Sequence, residues 1–573
     1  GADPDAEHTA VLPPAVRDLA TAASGWDWRH AAEEHDLTKE DVQDRTADTI
    51  AEAYRRGEDV LTIALPASGK TYGAVLAAAR TGEPTTILTG RGRKEQYDQL
   101  AEWCEEHGLT YKILPSFTED CPVAAGEHGE EWKETVDKWY RAGATPKQIH
   151  MYAEETLDRP LPCQIDDDGN HVGCPYKHAW DFDPETDGSA GPEEDVPIDV
   201  LIGHYTHAYR EEKVVHGRTV AIDEHPGGAY QTELGINLQG GVSYWLETVD
   251  AIPFESYTDL VENRSDESRR ADALLWFDEH GIDPDGKHVF GADGSTHAAA
   301  PLAVFTLLTA DDLGNGWHRT DLDERGVGLF TDGRDYRDGR ARAFTLSPPD
   351  FQYANAVVAL DGTPTKEMWE LSLDTRLSDR PVLDDDERAD YIRTALNMNI
   401  VRTTEHVKTY NNPDYVNTEE DAALLEAIAE EHGARPSIIS TMTAIDEYED
   451  EDVLQYVDET KHYGNVLGSN TFSDTRLGAV IGSNNYGDGF VKRWGAYANI
   501  AVESPDRSDP ENRGTGLSYG PFGDKILKHM REHDTLQAVM RFGRDGNGAL
   551  VYVHTNTLPE WVPVAGEGGV LRT

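Results

Sequence analysis

The sequence is poor in basic residues relative to acidic ones. Lys and Arg number 51 against 107 Asp and Glu, and the formal net charge is −56. Such an excess destabilises a compact chain by self-repulsion, but molar salt shortens the Debye length to about 3 Å and screens it. We therefore expect a cytoplasmic protein of an extremely halophilic archaeon. Because molar salt also screens long-range steering, the net charge does not exclude a nucleic-acid partner.

Long apolar segments are also missing. No apolar run reaches the length of about 18 residues that a membrane-spanning helix needs, so no membrane association is expected. The first residues lack a basic segment followed by an apolar one, so no signal peptide is expected. The chain begins Gly1-Ala2 without Met, which is compatible with a piece of a longer protein.

Its 573 residues, 38% of them hydrophobic, suffice for about three or four domains with packed cores.

Predicted strands and helices alternate over most of the chain, which indicates parallel α/β sheets. Thr85–Thr89 and Leu477–Ile481 are two of the predicted strands. The alternation is interrupted twice, first by a loop-rich stretch that holds cysteines and then by a mainly helical stretch. We predict an N-terminal helical segment at 1–40, a first domain at 41–235 with a cysteine-containing insertion at 115–195, a helical insertion at 236–350, the end of the first domain at 351–370, and a second domain at 390–573.

A phosphate-binding loop is predicted where strand Val60–Leu65 runs into the segment Ala64–Thr71 and then into a helix. Backbone N–H groups of such a turn cradle phosphate, the lysine reaches the β- and γ-phosphates, and the threonine binds Mg²⁺. An alanine replaces the first glycine of the usual pattern, and a Gly-Lys-Thr sequence can also follow a strand by chance. The predicted nucleotide-binding residues are Ser68, Gly69, Lys70 and Thr71.

Two acidic residues follow another buried strand. Strand Thr219–Ile222 leads into Asp223 and Glu224. A carboxylate at such a position can hold Mg²⁺, and its neighbour can orient or deprotonate the attacking water. Acidic residues are abundant in this chain, so the pair alone is weak evidence for a catalytic site. Together with the upstream phosphate loop, it predicts a site that hydrolyses ATP with Mg²⁺.

A third element lies in the second α/β domain. Gln537, Arg541 and Arg544 are spaced to share one side of a predicted helix. Arginines that reach the γ-phosphate stabilise the transferring phosphoryl group. A solvated basic helix face is the alternative, but arginine is scarce here and the same helix carries the apolar Val539 and Phe542.

In this order, the three elements and a fourth segment at Leu360–Thr365 resemble the motifs of superfamily 2 DNA/RNA helicases of the DEAD/DEAH kind. Ala64–Thr71 is similar to their motif I, Asp223–His225 to motif II, Leu360–Thr365 to motif III and Gln537–Arg544 to motif VI. The resemblance implies two RecA-like P-loop domains. The residues that it assigns to catalysis are Asp223, Glu224, Gln537, Arg541 and Arg544.

A further segment is similar to motif Ia of these helicases, which contacts the nucleic-acid backbone. It contains Arg91, Arg93 and Lys94. The resemblance implies that these three residues bind single-stranded nucleic acid.

All four cysteines lie between the segments similar to motifs I and II, at Cys104, Cys121, Cys163 and Cys174. Four thiolates suit a [4Fe–4S] cluster or a tetrahedral zinc ion, and buried free thiols are the alternative. Cys104 is the most doubtful ligand, because it falls on an ordinary predicted helix. The histidines that could replace it are His128, His150, His171 and His178.

The positions of the two insertions are similar to those of XPD/DinG-type helicases. In that group an iron–sulfur domain lies between motifs I and II, and an arch-like domain lies between motifs II and III. The resemblance implies an iron–sulfur cluster, whereas the residues themselves leave iron–sulfur and zinc equally open.

The sequence predicts an ATP-dependent helicase or translocase that acts on single-stranded nucleic acid, DNA in preference to RNA. One alternative is a nucleic-acid-stimulated ATPase switch that remodels complexes without unwinding. Another is a non-catalytic nucleotide-binding protein, which Lys70, Glu224 and the two arginines disfavour. Replication or repair proteins are the expected partners.

Overall fold

The computed structural model describes residues 37–90, 94–166, 168–188, 196–291, 296–466 and 471–565. The predicted helical segment at 1–40 lies outside this part of the chain except for its last residues. Arg91 and Arg93 of the predicted nucleic-acid contact also lie outside it. Among the described residues, no helix is both long and apolar enough to cross a membrane.

The strands form two parallel sheets and one antiparallel sheet. In chain order they are β1 (Val60–Ile63), β2 (Thr85–Thr89), β3 (Tyr111–Ile113), β4 (Val200–His204), β5 (Thr219–Asp223), β6 (Gln231–Leu234), β7 (Asp311–Asp312), β8 (Trp317–Asp321), β9 (Val327–Thr331), β10 (Arg342–Leu346), β11 (Ala356–Asp361), β12 (Ser378–Pro381), β13 (Met398–Arg402), β14 (Ser437–Ser440), β15 (Thr460–His462), β16 (Leu477–Ile481) and β17 (Ala549–His554).

The first domain is built on a seven-stranded parallel sheet in the order β12-β1-β11-β5-β2-β4-β3. Its central strands are fully buried, as expected when helices cover both faces of a parallel sheet. The strand β12 pairs with β1, so the first domain extends to Pro381, beyond the end predicted at residue 370. Ligands of open parallel sheets bind beyond the carboxyl ends of the strands.

The helices of the first domain are Lys39–Arg56, Lys70–Thr81, Lys94–Glu106 and Lys366–Leu373. The first of these begins with a capping box between Thr38 and Asp41 and ends at Gly57. It packs closely on the second helix, where a Cβ at Gly73 would lie 3.2 Å from Ile50 Cδ1. This close packing brings its N-terminal turns to the phosphate loop.

The first insertion is a set of short helices. They are Phe117–Asp120, Pro122–Ala125, Glu130–Arg141, Pro146–Leu157, the 3-10 turn Pro162–Gln164, and Pro175–His178. Three of the helices and the 3-10 turn have proline in their first turn, where the missing N–H costs no hydrogen bond.

The second insertion is helical in its first part and contains a sheet in its second part. Its helices are Leu238–Glu247, Tyr257–Asn263, Glu267–His280 and Ala300–Thr309. The strands β7 to β10 follow and join β6 in an antiparallel sheet of order β6-β10-β9-β8-β7. The prediction of a mainly helical insertion at 236–350 holds for its helices but omitted this sheet.

The second domain is a five-stranded parallel sheet in the order β13-β17-β16-β14-β15. Its longer helices are Thr418–His432, Met442–Asp450, Asp488–Tyr497, Gly520–Lys528 and Asp534–Val539. The last of these ends before Met540, so Arg541 and Arg544 lie in the turns that follow it. The prediction that they share one helix with Gln537 is therefore wrong. The chain is thus an α/β protein with two RecA-like domains and two insertions in the first.

The antiparallel sheet of the second insertion also packs on the second domain. Lys492 Nζ lies 2.8 Å from Asp335 Oδ1 in an ion pair with little solvent exposure. Asn315 Nδ2 donates to the carbonyl of Val502 at 2.8 Å. The insertion therefore connects the two RecA-like domains.

Candidate nucleotide site and metal centre

The phosphate loop connects β1 to the helix that begins at Lys70. Ala67 and Gly69 adopt left-handed backbone conformations, with φ of 66° and 76°. A Cβ at residue 69 would lie 2.9 Å from Gln43 Cγ, so glycine is favoured there by conformation and by space. At Ala64, where the usual pattern has glycine, the backbone continues the sheet: its N–H donates to the Asp361 carbonyl at 3.0 Å.

The carboxylate of Asp223, at the end of β5, faces the phosphate loop. Thr71 Oγ1 donates to Asp223 Oδ2 at 2.9 Å, and Gln96 Nε2 donates to the same oxygen at 2.8 Å. Asp223 is only 2% exposed. Hydroxyl and carboxylate oxygens are hard donors that suit Mg²⁺. Thr71 and Asp223 are therefore the residues that could hold this ion.

Glu224 lies beside the lysine of the loop. Its Oε1 is 3.2 Å from Lys70 Nζ. The backbone of Glu224 has a φ of 67°, an unfavourable conformation for glutamate of the kind that clusters at functional sites. Tyr205 Oη donates to the carbonyls of Asp223 and Glu224 at 2.6 and 3.1 Å and fixes this turn.

One cavity of about 860 Å³ joins these residues to the second domain. Its first-domain lining includes Gly69, Lys70, Thr71, Asp223 and Glu224. The second domain contributes Arg541 and Arg544 to the opposite wall. The three elements that lie far apart in the sequence thus share one cavity between two sheet domains.

Arg544 is anchored in the turns that follow helix Asp534–Val539. Its Nε donates to the carbonyl of Met540 at 2.7 Å, and Lys39 Nζ donates to the carbonyl of Arg544 at 2.9 Å. Burial lowers the pKa of Arg544 to about 10, and the charge of Glu224 opposes that shift. Arg544 therefore stays cationic at neutral pH.

Gln537 is placed away from the cavity lining, in contact with the segment similar to motif III. Its Nε2 donates to Thr363 Oγ1 at 3.3 Å. The Thr363 N–H and Trp369 Nε1 donate to the two carboxylate oxygens of Asp361 at 2.9 and 2.7 Å. Burial and then the charge of Glu224 raise the pKa of Asp361 to about 7. These contacts connect the second domain to the acid beside the phosphate loop.

The predicted nucleic-acid contact is described only in part. Lys94 is exposed and begins the helix that follows β2, at the carboxyl edge of the first sheet. Arg91 and Arg93 lie outside the described residues. Their role in binding nucleic acid stays a prediction.

Three of the four cysteines lie close to one histidine. Cys121, His150, Cys163 and Cys174 are all buried, and their ligand atoms lie within 4.8 Å of one another. A group of this kind is compatible with metal binding. The other three candidate histidines, His128, His171 and His178, are not members of this cluster.

Cys104 is not a member of the cluster either. It lies on helix Lys94–Glu106 and packs in the apolar core of the first sheet. Burial raises the pKa of its thiol to about 12. The predicted set of four cysteine ligands is therefore corrected to three cysteines and His150.

Comparison with known proteins finds distant structural similarity only. No protein-family model and no curated protein matches the chain. A solved structure described as an XPD helicase is 12% identical, with a TM-score of 0.42 over 90% of this chain and 95% of the other. Another, described as apo XPD, is 12% identical, with a TM-score of 0.40 over 89% and 95%. Because these TM-scores are low, function must be inferred from the site.

Gln43 and Gln96 are among the cavity residues that sequence reasoning missed. Gln43 reaches Gly69 from the first helix, and Gln96 bonds both Thr89 Oγ1 and Asp223. The position of Gln43 beside Gly69 depends on the packing of two helices, and no local sequence pattern encodes that packing. Gln96 could have been found from its place in the first turn of the helix after β2.

Proposed function

We propose that the chain is an ATP-dependent helicase or translocase acting on single-stranded nucleic acid, with DNA preferred over RNA. The observation that supports it is the shared cavity, in which Lys70 and Glu224 of the first domain face Arg541 of the second. A nucleotide bound between two domains favours their closure and can thereby couple hydrolysis to movement.

ATP binding would replace an ion pair within the protein. Lys70 pairs with Glu224 within the cavity. The polyphosphate carries more negative charge than one carboxylate, so the lysine would turn to it and release Glu224. Glu224 would then accept a proton from the attacking water. Mg²⁺, held by Thr71 and Asp223, would neutralise charge that develops on the phosphates.

Closure of the domains would bring the guanidinium of Arg541 to the γ-phosphate. Arginine suits this role because it presents a planar set of donors and keeps its charge. The contact of Gln537 with Thr363 would transmit the closure to Asp361, beside the hydrolytic site. The catalytic role predicted for Gln537 thus becomes one of positioning in this proposal.

The nucleic-acid track would cross the carboxyl edges of both parallel sheets. Lys94 lies at that edge in the first domain, next to the predicted contacts Arg91 and Arg93. At molar salt, local contacts and base stacking must provide most of the affinity. Proteins of replication or repair remain the proposed partners, and a halophilic cytoplasm the proposed setting.

Arg91→Ala combined with Arg93→Ala should abolish the stimulation of ATPase activity by single-stranded DNA. Basal hydrolysis should stay nearly unchanged, because neither residue is among the predicted phosphate-binding residues. ATPase rates measured in molar KCl with and without a single-stranded oligonucleotide check this.

The matched control removes two exposed arginines elsewhere, Arg55→Ala with Arg435→Ala. This control should keep the stimulation. An equal loss of basal activity in the Arg91 and Arg93 variant would show that these arginines are structural.

A further inference from the structure

The spacing of the cysteine–histidine cluster identifies the kind of ion that it can hold. The Sγ atoms of Cys121 and Cys163 are 3.8 Å apart, and those of Cys174 and Cys121 are 3.7 Å apart. His150 Nε2 lies 3.7 Å from Cys121 Sγ and 3.6 Å from Cys163 Sγ. All of these separations are the edges of one small tetrahedron.

A single zinc ion produces these edges. With Zn–S bonds of about 2.3 Å and Zn–N bonds of about 2.0 Å, tetrahedral angles place two sulfurs about 3.8 Å apart and sulfur and nitrogen about 3.5 Å apart. We infer that Cys121, His150, Cys163 and Cys174 bind one tetrahedral zinc ion, in place of the iron–sulfur cluster that the family resemblance implied.

A [4Fe–4S] cluster does not fit the same four residues. Each of its ligands binds a different iron at a different corner of the cluster, which separates the sulfurs by roughly 6 Å. The observed separation between Cys121 and Cys163 is 3.8 Å. Admitting the cluster would require all four chain segments to move apart inside a buried region.

The surroundings of His150 favour a metal ligand at Nε2. Its Nδ1 lies 2.7 Å from the carbonyl oxygen of Pro146, which can only accept a hydrogen bond. Nδ1 therefore carries a proton, and in the neutral ring the lone pair of Nε2 faces the sulfurs of Cys121 and Cys163. A backbone carbonyl that fixes the ring in this way is common behind zinc-bound histidines. The rings of Phe117 and Tyr176 flank the imidazole and hold its orientation.

The site has the character of a structural zinc centre. Each of its four residues is at most 5% exposed, and all four ligand positions are protein atoms, so no position is open for water or substrate. The three cysteines come from the ends of four-residue helices and from a 3-10 turn, and His150 comes from helix Pro146–Leu157. The ion would join these segments and so support the first insertion.

The test is the metal content of wild-type protein prepared without oxygen, from cells supplied with both iron and zinc. Anaerobic preparation matters, because a cluster lost in air could be replaced by zinc. We expect about one zinc per chain, no stoichiometric iron and no broad visible absorbance. About four irons per chain, or neither metal, would overturn the inference.

Variants test the ligand set. Cys163→Ser and His150→Ala should each lose most of the zinc, whereas the controls Cys104→Ser and His171→Ala should keep it. If the ligand variants do not fold, Co²⁺ exchanged into the wild type supplies the readout. A tetrahedral site with three thiolates should give the intense visible bands of four-coordinate cobalt. Weak bands of six-coordinate cobalt would contradict the assignment.

The zinc inference is independent of the proposed helicase function. A chain without ATPase activity would still bind zinc, and an active ATPase that holds iron would overturn only the zinc assignment. Metal analysis and hydrolysis assays on one preparation therefore separate the two.

Discussion

Glu224→Gln should bind ATP but hydrolyse it at least about 100-fold more slowly, the lower end of what general-base catalysis contributes. The amide cannot accept the proton of the attacking water, while Thr71 and Asp223 would still be available to hold Mg²⁺. ATP affinity should be equal or higher, because the variant removes the carboxylate that pairs with Lys70 at 3.2 Å. Single-turnover hydrolysis and equilibrium nucleotide binding measure the two effects.

The matched control for this variant is Glu102→Gln, which changes an exposed glutamate on helix Lys94–Glu106. It should hydrolyse ATP like the wild type. Normal turnover by Glu224→Gln would remove Glu224 from the mechanism, and weak ATP binding would show that its main role is to shape the loop.

Arg541→Ala should lower kcat by about 1,000-fold or more, the range found when an arginine at the γ-phosphate is removed. KM should change little, because the arginine acts on the transferring phosphoryl group and Lys70 still binds the phosphates. Arg541→Lys should remain strongly impaired, since an ammonium cannot reproduce the planar set of donors. Steady-state ATPase kinetics in molar KCl measure both variants.

Arg541 is 5% exposed, so its replacement could also disturb packing. The lysine variant keeps most of the side-chain volume, and its thermal unfolding midpoint shows whether the fold is intact. Arg435→Ala, at an exposed position of the second domain, is the control. Full activity of a folded Arg541→Lys variant would contradict the role of the guanidinium.

The parallel sheets could be predicted because most of their strands are short runs rich in apolar and β-branched residues, with helices between them. Thr85–Thr89 and Leu477–Ile481 have the predicted bounds. The antiparallel sheet of the second insertion escaped prediction because some of its strands are very short or carry charged residues. Asp311–Asp312 is one such strand, and it exists by pairing with its neighbour in the sheet.

In the candidate sites too, some residues can be predicted from local sequence patterns and others depend on the tertiary structure. The phosphate loop and the acids after β5 carry local patterns, so they were found from sequence. The partner of the three cysteines depends on how separate segments fold back on each other. The sequence alone therefore could not distinguish His150 from His128, His171 and His178. Cys104 shares the residue type of the ligands but lies on a helix whose buried face serves the sheet.

Gln537 shows that helical spacing in a sequence does not fix where the helix ends. A helix continued through Arg544 would have placed all three polar residues of this segment on one face. The helix ends at Val539 instead, and the turns that follow direct Arg541 and Arg544 into the cavity. Gln537 is left to contact Thr363 at the junction of the domains.

Strand displacement by the wild-type chain tests the central claim most directly. The substrate is a DNA duplex with a single-stranded tail, in molar KCl, and the readout is release of the shorter strand. We predict release that requires hydrolysable ATP and is absent with Glu224→Gln. If single strands stimulate ATP hydrolysis but no tailed duplex is unwound and no protein moves along the strand, the motor assignment is contradicted and the ATPase switch is favoured.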